Sequence, residues 1–203
     1  MIEITLPQYC LAQAQAYAEG IVLEYANGNN EASRKYTIRG ADKNPIPWKN
    51  GKLAEMAVGQ WCGKLGAINI NPKREAERNG IDLTVGTIGI DVKHTSTRSC
   101  VWSAGKTHPK DTLPSKAFRI FVCANADFRR FPVVQILVWV GRQDFMKRRT
   151  LADGTGGLDK WTQYLEFKSC HAIQPGDSLE RAIARESIKQ KLQFEFISDQ
   201  WPL

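Results

Sequence analysis

Two aspartates and a lysine stand close together in GIDLTVGTIGIDVKH, residues 80–94: Asp82, Asp91 and Lys93. Carboxylates and an ammonium are the groups that hold a divalent cation and steady a phosphate, provided the chain brings them together. The apolar alternation around them predicts that it does. A two-residue turn on Gly86-Thr87 suits a type II′ hairpin, because Gly accepts the positive φ of the first turn position. The register then pairs Val85 with Ile88, Leu83 with Ile90 and Ile81 with Val92 on one face. Thr84 with Gly89, Asp82 with Asp91 and Gly80 with Lys93 fall on the other. Directly opposed residues have Cβ atoms about 4.5–5.5 Å apart, and like charges so placed destabilise a sheet. Mg²⁺, which takes hard oxygen ligands and keeps positions for water and phosphate, would offset that repulsion, with Mn²⁺ expected to substitute. The alternative is a solvated outer face on which Lys93 screens both acids.

The elements around this hairpin follow from periodicity. Residues 6–27 predict a helix with an apolar stripe of Leu11, Ala14, Ala18, Ile21, Val22 and Tyr25. Residues 28–50 are polar and punctuated by Gly40, Pro45 and Pro47, which reads as a long connection with a short strand at 35–38. A second helix over 51–65 would bury Leu53, Met56, Ala57, Trp61 and Leu65, with Glu55 beside that stripe. A short strand at 67–70 precedes the hairpin. Buried strands are expected at 118–124 and 133–140, a helical turn after them, an edge strand at 161–169, and a last helix capped by Asp177 or Ser178.

Composition sets outer limits. At 203 residues, with 42% hydrophobic and 24% charged residues, the chain reads as one globular domain. No apolar run reaches membrane-spanning length, and the N-terminus has no signal-peptide pattern, so a soluble, cytoplasmic protein is expected. Five scattered cysteines form no C-x-x-C, and His94, His108 and His171 have no metal spacing, which leaves buried thiols as the default. The net charge of +7 has the sign that attracts a polyanion. Basic groups cluster at 73–78, 98–110, Arg129-Arg130 and 146–149.

A helix with Glu55, a strand, a strand with Asp82 and then Asp91-Val92-Lys93 resembles the PD-(D/E)XK nuclease superfamily, over residues 51–140. The tail VQILVWVGRQDFMKR is similar to phage or mobile-element members. The resemblance implies an α/β restriction-endonuclease-like core, a central mixed β-sheet flanked by helices. It implies one such domain over 1–203, with an N-terminal extension of about 1–50 and a C-terminal extension of about 141–203. It further implies that Asp82, Asp91, Glu55 and the Val92 carbonyl surround Mg²⁺, while Lys93 sits against the attacking water. The chain departs from the family at Ile81, where a Pro is usual. A second departure is the stretch 95–115, whose Pro109 and Pro114 suit a loop better than the usual crossover helix. As a loop it would bring Arg98, Lys106, His108 and Lys110 to a DNA cleft, with Lys73 and Arg74 as further contacts. The absence of a cysteine cluster argues against the iron–sulfur branch.

The chemistry is consistent with the name. Metal held by two carboxylates lowers the pKa of bound water and polarises a phosphoryl group. Lys93 would orient or deprotonate that water, or stabilise developing charge if it stays protonated. The leading expectation is therefore a Mg²⁺-dependent nuclease acting on DNA, with RNA as another substrate and a homodimer or larger complex as open assemblies. The second is a non-cleaving nucleic-acid-binding subunit on the same fold. The third is an interaction protein that meets a partner through Trp48, Trp102 and Trp201.

Overall fold

The computed structural model describes residues 1–26, 44–72, 81–86, 88–95, 99–102, 118–151 and 163–184. The hairpin forms where the alternation places it: β2 (Leu83–Val85) runs antiparallel to β3 (Ile88–His94), pairing Val85 with Ile88, Thr84 with Gly89 and Leu83 with Ile90. Gly86 turns the chain at φ 58°, a conformation that costs a side-chain-bearing residue about 1–2 kcal/mol. Of the three outer pairs, Asp82 with Asp91 and Ile81 with Val92 do not form as expected, and Gly80 with Lys93 lies outside the described residues. The Asp82 N–H donates to the Ile90 carbonyl at 2.9 Å, one residue short of its expected partner, so the ladder ends at Leu83.

β3 lies inside a mixed sheet. β5 (Phe118–Asn125) pairs parallel with β3, β6 (Val133–Gly141) pairs antiparallel with β5, and β1 (Ile2–Thr5) and β9 (His171–Ala172) both line the far side of β6. The order is β1-β6-β5-β3-β2. The expected strands at 118–124 and 133–140 are thus present, and β1 is an additional strand too short for its alternation to signal it. A bulge in the β5–β6 ladder, where Cys123 faces Val138 but Ala124 faces Ile136, inserts Leu137 as an extra residue. It reverses the alternation of β6: Val134 and Ile136 point into one core cluster, Val138 and Val140 into the other. That is why this strand reads as an unbroken apolar run.

Helices cover both faces. α1 (Tyr9–Ala26) buries Cys10, Ala14, Tyr17, Ala18 and Ile21, a stripe rotated slightly from the expected one, with Leu11 and Val22 only partly buried. α2 (Pro45–Trp61) starts six residues earlier than expected. Asn44 caps it, accepting the Ile46 N–H at 3.0 Å, and Pro45 falls at the first position, where its missing N–H costs nothing. It also stops early. The Lys64 N–H bonds back to the Gly59 carbonyl and the Gly63 N–H to Gln60, with Gly63 left-handed at φ 65°. The expected strand at 67–70 is instead a 3-10 turn, Leu65–Ala67, followed by irregular chain.

On the opposite face sit α3 (Arg142–Arg148) and a second sheet of β4 (Ser99–Trp102), β8 (Gln163–Glu166) and β7 (Thr150–Leu151). β8 is the middle strand of this sheet, not an edge. β4 lies in the stretch expected to be a helix or an elaborated loop between the parallel strands. Phe145 and Leu165 pack with Cys123, Val138 and Val140 beneath it. Ser178 caps the last helix, its Oγ accepting the Arg181 N–H at 3.2 Å, while Asp177 accepts the Gln174 N–H. Cys10 and Cys123 are buried thiols outside any disulfide, and burial, with Glu180 nearby, pushes the Cys62 thiol up to about 12. No helix among the described residues is long and apolar enough to cross a membrane. The expected strand at 35–38 lies outside the described residues.

Candidate functional site

Asp91 and Lys93 leave β3 on one face, and Ile90 and Val92 on the other, where they share a core with Leu53 and Ala57 of α2. Lys93 Nζ stands 2.7 Å from Asp91 Oδ1, with side-chain exposures of 24% and 10%. Asp82, at the free end of β2, does not simply face Asp91. Beyond Leu83 the edge of β3 has no strand partner, so the Val92 N–H needs another acceptor. Asp82 supplies it, Oδ2 accepting that N–H at 2.7 Å. The sheet ends in a side-chain cap, which fixes the Asp82 carboxylate against the β3 backbone.

Burial raises the pKa of Asp82 well above the usual carboxylate range, and the charges of Glu55 and then Asp91 push it further. Lys93 and the Val92 N–H pull the other way without reversing it. Glu55 comes from α2, on the Val92 side of the strand, and Asp91 from the opposite face; Asp82 at the strand end feels both. The four residues expected to carry the chemistry, Glu55, Asp82, Asp91 and Lys93, are therefore neighbours electrostatically. They are not one converging ligand set: among the described residues no group of three His, Cys, Asp or Glu side chains is arranged to hold a metal ion. Each carboxylate is turned to a partner of its own.

Glu55 has a partner that periodicity did not reveal. Lys52, one turn earlier on α2, is fully buried, its ammonium 2.6 Å from Glu55 Oε2 and 4.0 Å from the centre of the Tyr17 ring. The sequence signal was slight: a Lys inside GKLAEMAV, three residues before a Glu. Two ion pairs, Lys52–Glu55 and Lys93–Asp91, thus stand near Asp82, whose carboxylate accepts the Val92 N–H. The carboxylate oxygens are the ligand type Mg²⁺ prefers, and the raised pKa of Asp82, from burial and then from Glu55 and Asp91, marks the crowding of acids that a cation would relieve. Lys73, Arg74, Arg98, Lys106, His108 and Lys110, the expected nucleic-acid contacts, lie outside the described residues, as does Gly80, the expected neighbour of Lys93. Trp48 is half-buried, and nothing of the side chains of Trp102 and Trp201 is described.

No family model matches the chain, and neither the curated proteins nor the solved structures compared with it give a match.

Proposed function

We propose that this chain is a Mg²⁺-dependent nuclease, hydrolysing phosphodiester bonds of DNA on a restriction-endonuclease-like core. One observation carries the reading: the Asp82 carboxylate is fixed on the Val92 N–H at 2.7 Å, beside Asp91 and Lys93 of the same strand, and burial, then the charges of Glu55 and Asp91, raise its pKa. A surplus of carboxylates around one backbone segment is a costly arrangement that a divalent cation would relieve. Asp82 and Asp91 would hold Mg²⁺, with Glu55 and the Val92 carbonyl beside it. When bound, the ion supplies charge to the phosphoryl oxygens and acidifies a water.

The remaining work falls to the chain. Hydrolysis adds a water oxygen to phosphorus and breaks the bond to the leaving oxygen, so one proton must leave the water and one must reach the leaving group. Lys93, a quarter exposed and tethered to Asp91, would orient that water or stabilise charge developing on the phosphate. The Val92 N–H keeps Asp82 from swinging away from β3.

A second reading has its own observation. Lys52 and Lys93 already pair with Glu55 and Asp91, a state that needs no metal, and this favours a nucleic-acid-binding subunit that does not cut. Incubating the protein with linear, circular, branched and single-stranded DNA, with Mg²⁺, Mn²⁺ or EDTA, separates the two. Metal-dependent cleavage that disappears in Asp91→Asn supports the nuclease. Salt-dependent binding without cleavage selects the subunit.

A further inference from the structure

Where the parallel strands β3 and β5 end, the surface dips into a pocket of about 350 Å³. His94, Asn125 and Ala126 form its strand-end wall, and Asn50 of α2 closes another side. Asp127, Arg129 and Arg130 complete it from the 3-10 turn Phe128–Arg130 and the residue before it. His94 directly follows Lys93, about 3.8 Å along the backbone and on the opposite face of β3.

The pocket is held in shape by its own contacts. Asn50 Oδ1 accepts the Phe128 N–H at 3.1 Å and so ties the turn to α2, while the Asn50 amide NH₂ has no partner among the described residues. Asp127 caps the turn through the Arg129 N–H and is gripped by the Arg129 guanidinium at 2.9–3.2 Å. Those bonds to Arg129 hold its carboxyl below the usual range, so Asp127 and Arg129 neutralise each other. Burial lowers the pKa of His94, which lies against the Ala126 N–H, and favours its neutral form. Arg130 is exposed, and its guanidinium has no side-chain partner among the described residues. Next to the pocket, the Lys49 ammonium lies 3.6 Å over the Phe128 ring. Within the lining one carboxylate therefore meets two arginines, with the Asn50 and Asn125 amides beside them and Lys49 just outside. Among the described residues the lining has no Phe, Tyr or Trp ring on which a base would stack, so the group it suits is the phosphate and not the base.

We propose that this pocket is a phosphate subsite, in which Arg130 and the Asn50 amide hold a backbone phosphodiester of a nucleic-acid strand that crosses the ends of β3 and β5. The assignment to nucleic acid rests on the nuclease reading; the affinity for phosphate does not. A nucleic acid rather than a free nucleotide is favoured because the cations stand on the exposed rim, where a strand can continue past them in both directions.

The test is made in EDTA, so that it needs no cleavage. Labelled double-stranded DNA is titrated by anisotropy across a salt series with wild type, Arg130→Ala, Arg130→Lys and, as a basic control on the 3-10 turn Phe167–Ser169, Lys168→Ala. Arg130→Ala should weaken binding about tenfold and flatten log K against log salt by about 0.9, the loss of one phosphate contact. Arg130→Lys should keep the slope, and Lys168→Ala should match wild type. In parallel, inorganic phosphate should shift the amide resonances of Ala126, Arg129 and Arg130. DNA binding that Arg130→Ala leaves unchanged in affinity and slope overturns the subsite while leaving the nuclease reading standing. If wild type binds no DNA but phosphate still shifts those amides, the phosphate pocket holds and the nuclease reading fails. Neither DNA binding nor phosphate shifts would sink the subsite outright.

Discussion

Replacing Glu55 by alanine removes the carboxylate that stands 2.6 Å from the Lys52 ammonium, a group with no exposed side-chain surface. Breaking a buried pair from one side leaves a charge that water cannot reach, which typically costs about 3–5 kcal/mol. Two features soften that figure here. The Tyr17 ring face, 4.0 Å away, still attracts the ammonium. Loss of Glu55 also relieves Asp82 of the larger of its two repelling charges, an effect comparable to separating like charges on a sheet, up to about 1 kcal/mol. The net expectation is a loss of about 2–4 kcal/mol, and a melting temperature lower by roughly 5–15 °C for a chain of this size. Urea unfolding followed by tryptophan fluorescence measures it, with Lys52→Met as the partner change. The double variant Lys52→Met/Glu55→Ala should recover most of the loss, because an apolar replacement of a whole buried pair is often neutral or better. A Glu55→Ala protein within about 0.5 kcal/mol of wild type, the spread of ordinary surface substitutions, would show that Lys52 is not held as a buried charge.

Asp82→Asn keeps an acceptor for the Val92 N–H and removes a titratable carboxyl. Because burial and then Glu55 and Asp91 raise the folded pKa of Asp82 above its unfolded value near 3.8, the folded state holds a proton the unfolded chain has shed. Wild-type stability should therefore fall as pH rises from about 3.8 through the folded value, and Asn should remove that part of the decline, as thermal melts across pH will show. Lys93→Ala should lower single-turnover cleavage by about 10²–10⁴-fold with DNA affinity little changed; a rate within a few-fold of wild type would return Lys93 to the role of a screening charge. Gly86→Ala, at φ 58°, should cost about 1–2 kcal/mol, and a neutral result in denaturant titration would mean that the turn adopts another geometry.

Much of the site's neighbourhood is legible along the chain because it depends on local rules. The inner hairpin pairs follow from strict alternation about Gly86, and the two long apolar runs from the length and composition of β5 and β6. Asp91 and Lys93, two residues apart, must share a face wherever the strand lies. Asp82 escaped that logic because its position depends on an unsatisfied N–H at Val92, and β3 has that need only because β2 stops at Leu83. Pro45 and Pro47 read as loop punctuation until Asn44 is seen capping the helix they open. β1 escaped notice because its four residues become a strand through partners more than 120 positions away, Ile2 on Ile136 and Thr5 on Val133. Lys52 looks like a surface lysine in any periodic reading, and only α1, bringing Tyr17 over α2, buries it and commits Glu55 to it. Residue order determined which groups share a strand or a helix face. Tertiary packing decided which of them lost water, and for a carboxylate or an ammonium that loss sets its charge, its partner and its chemistry.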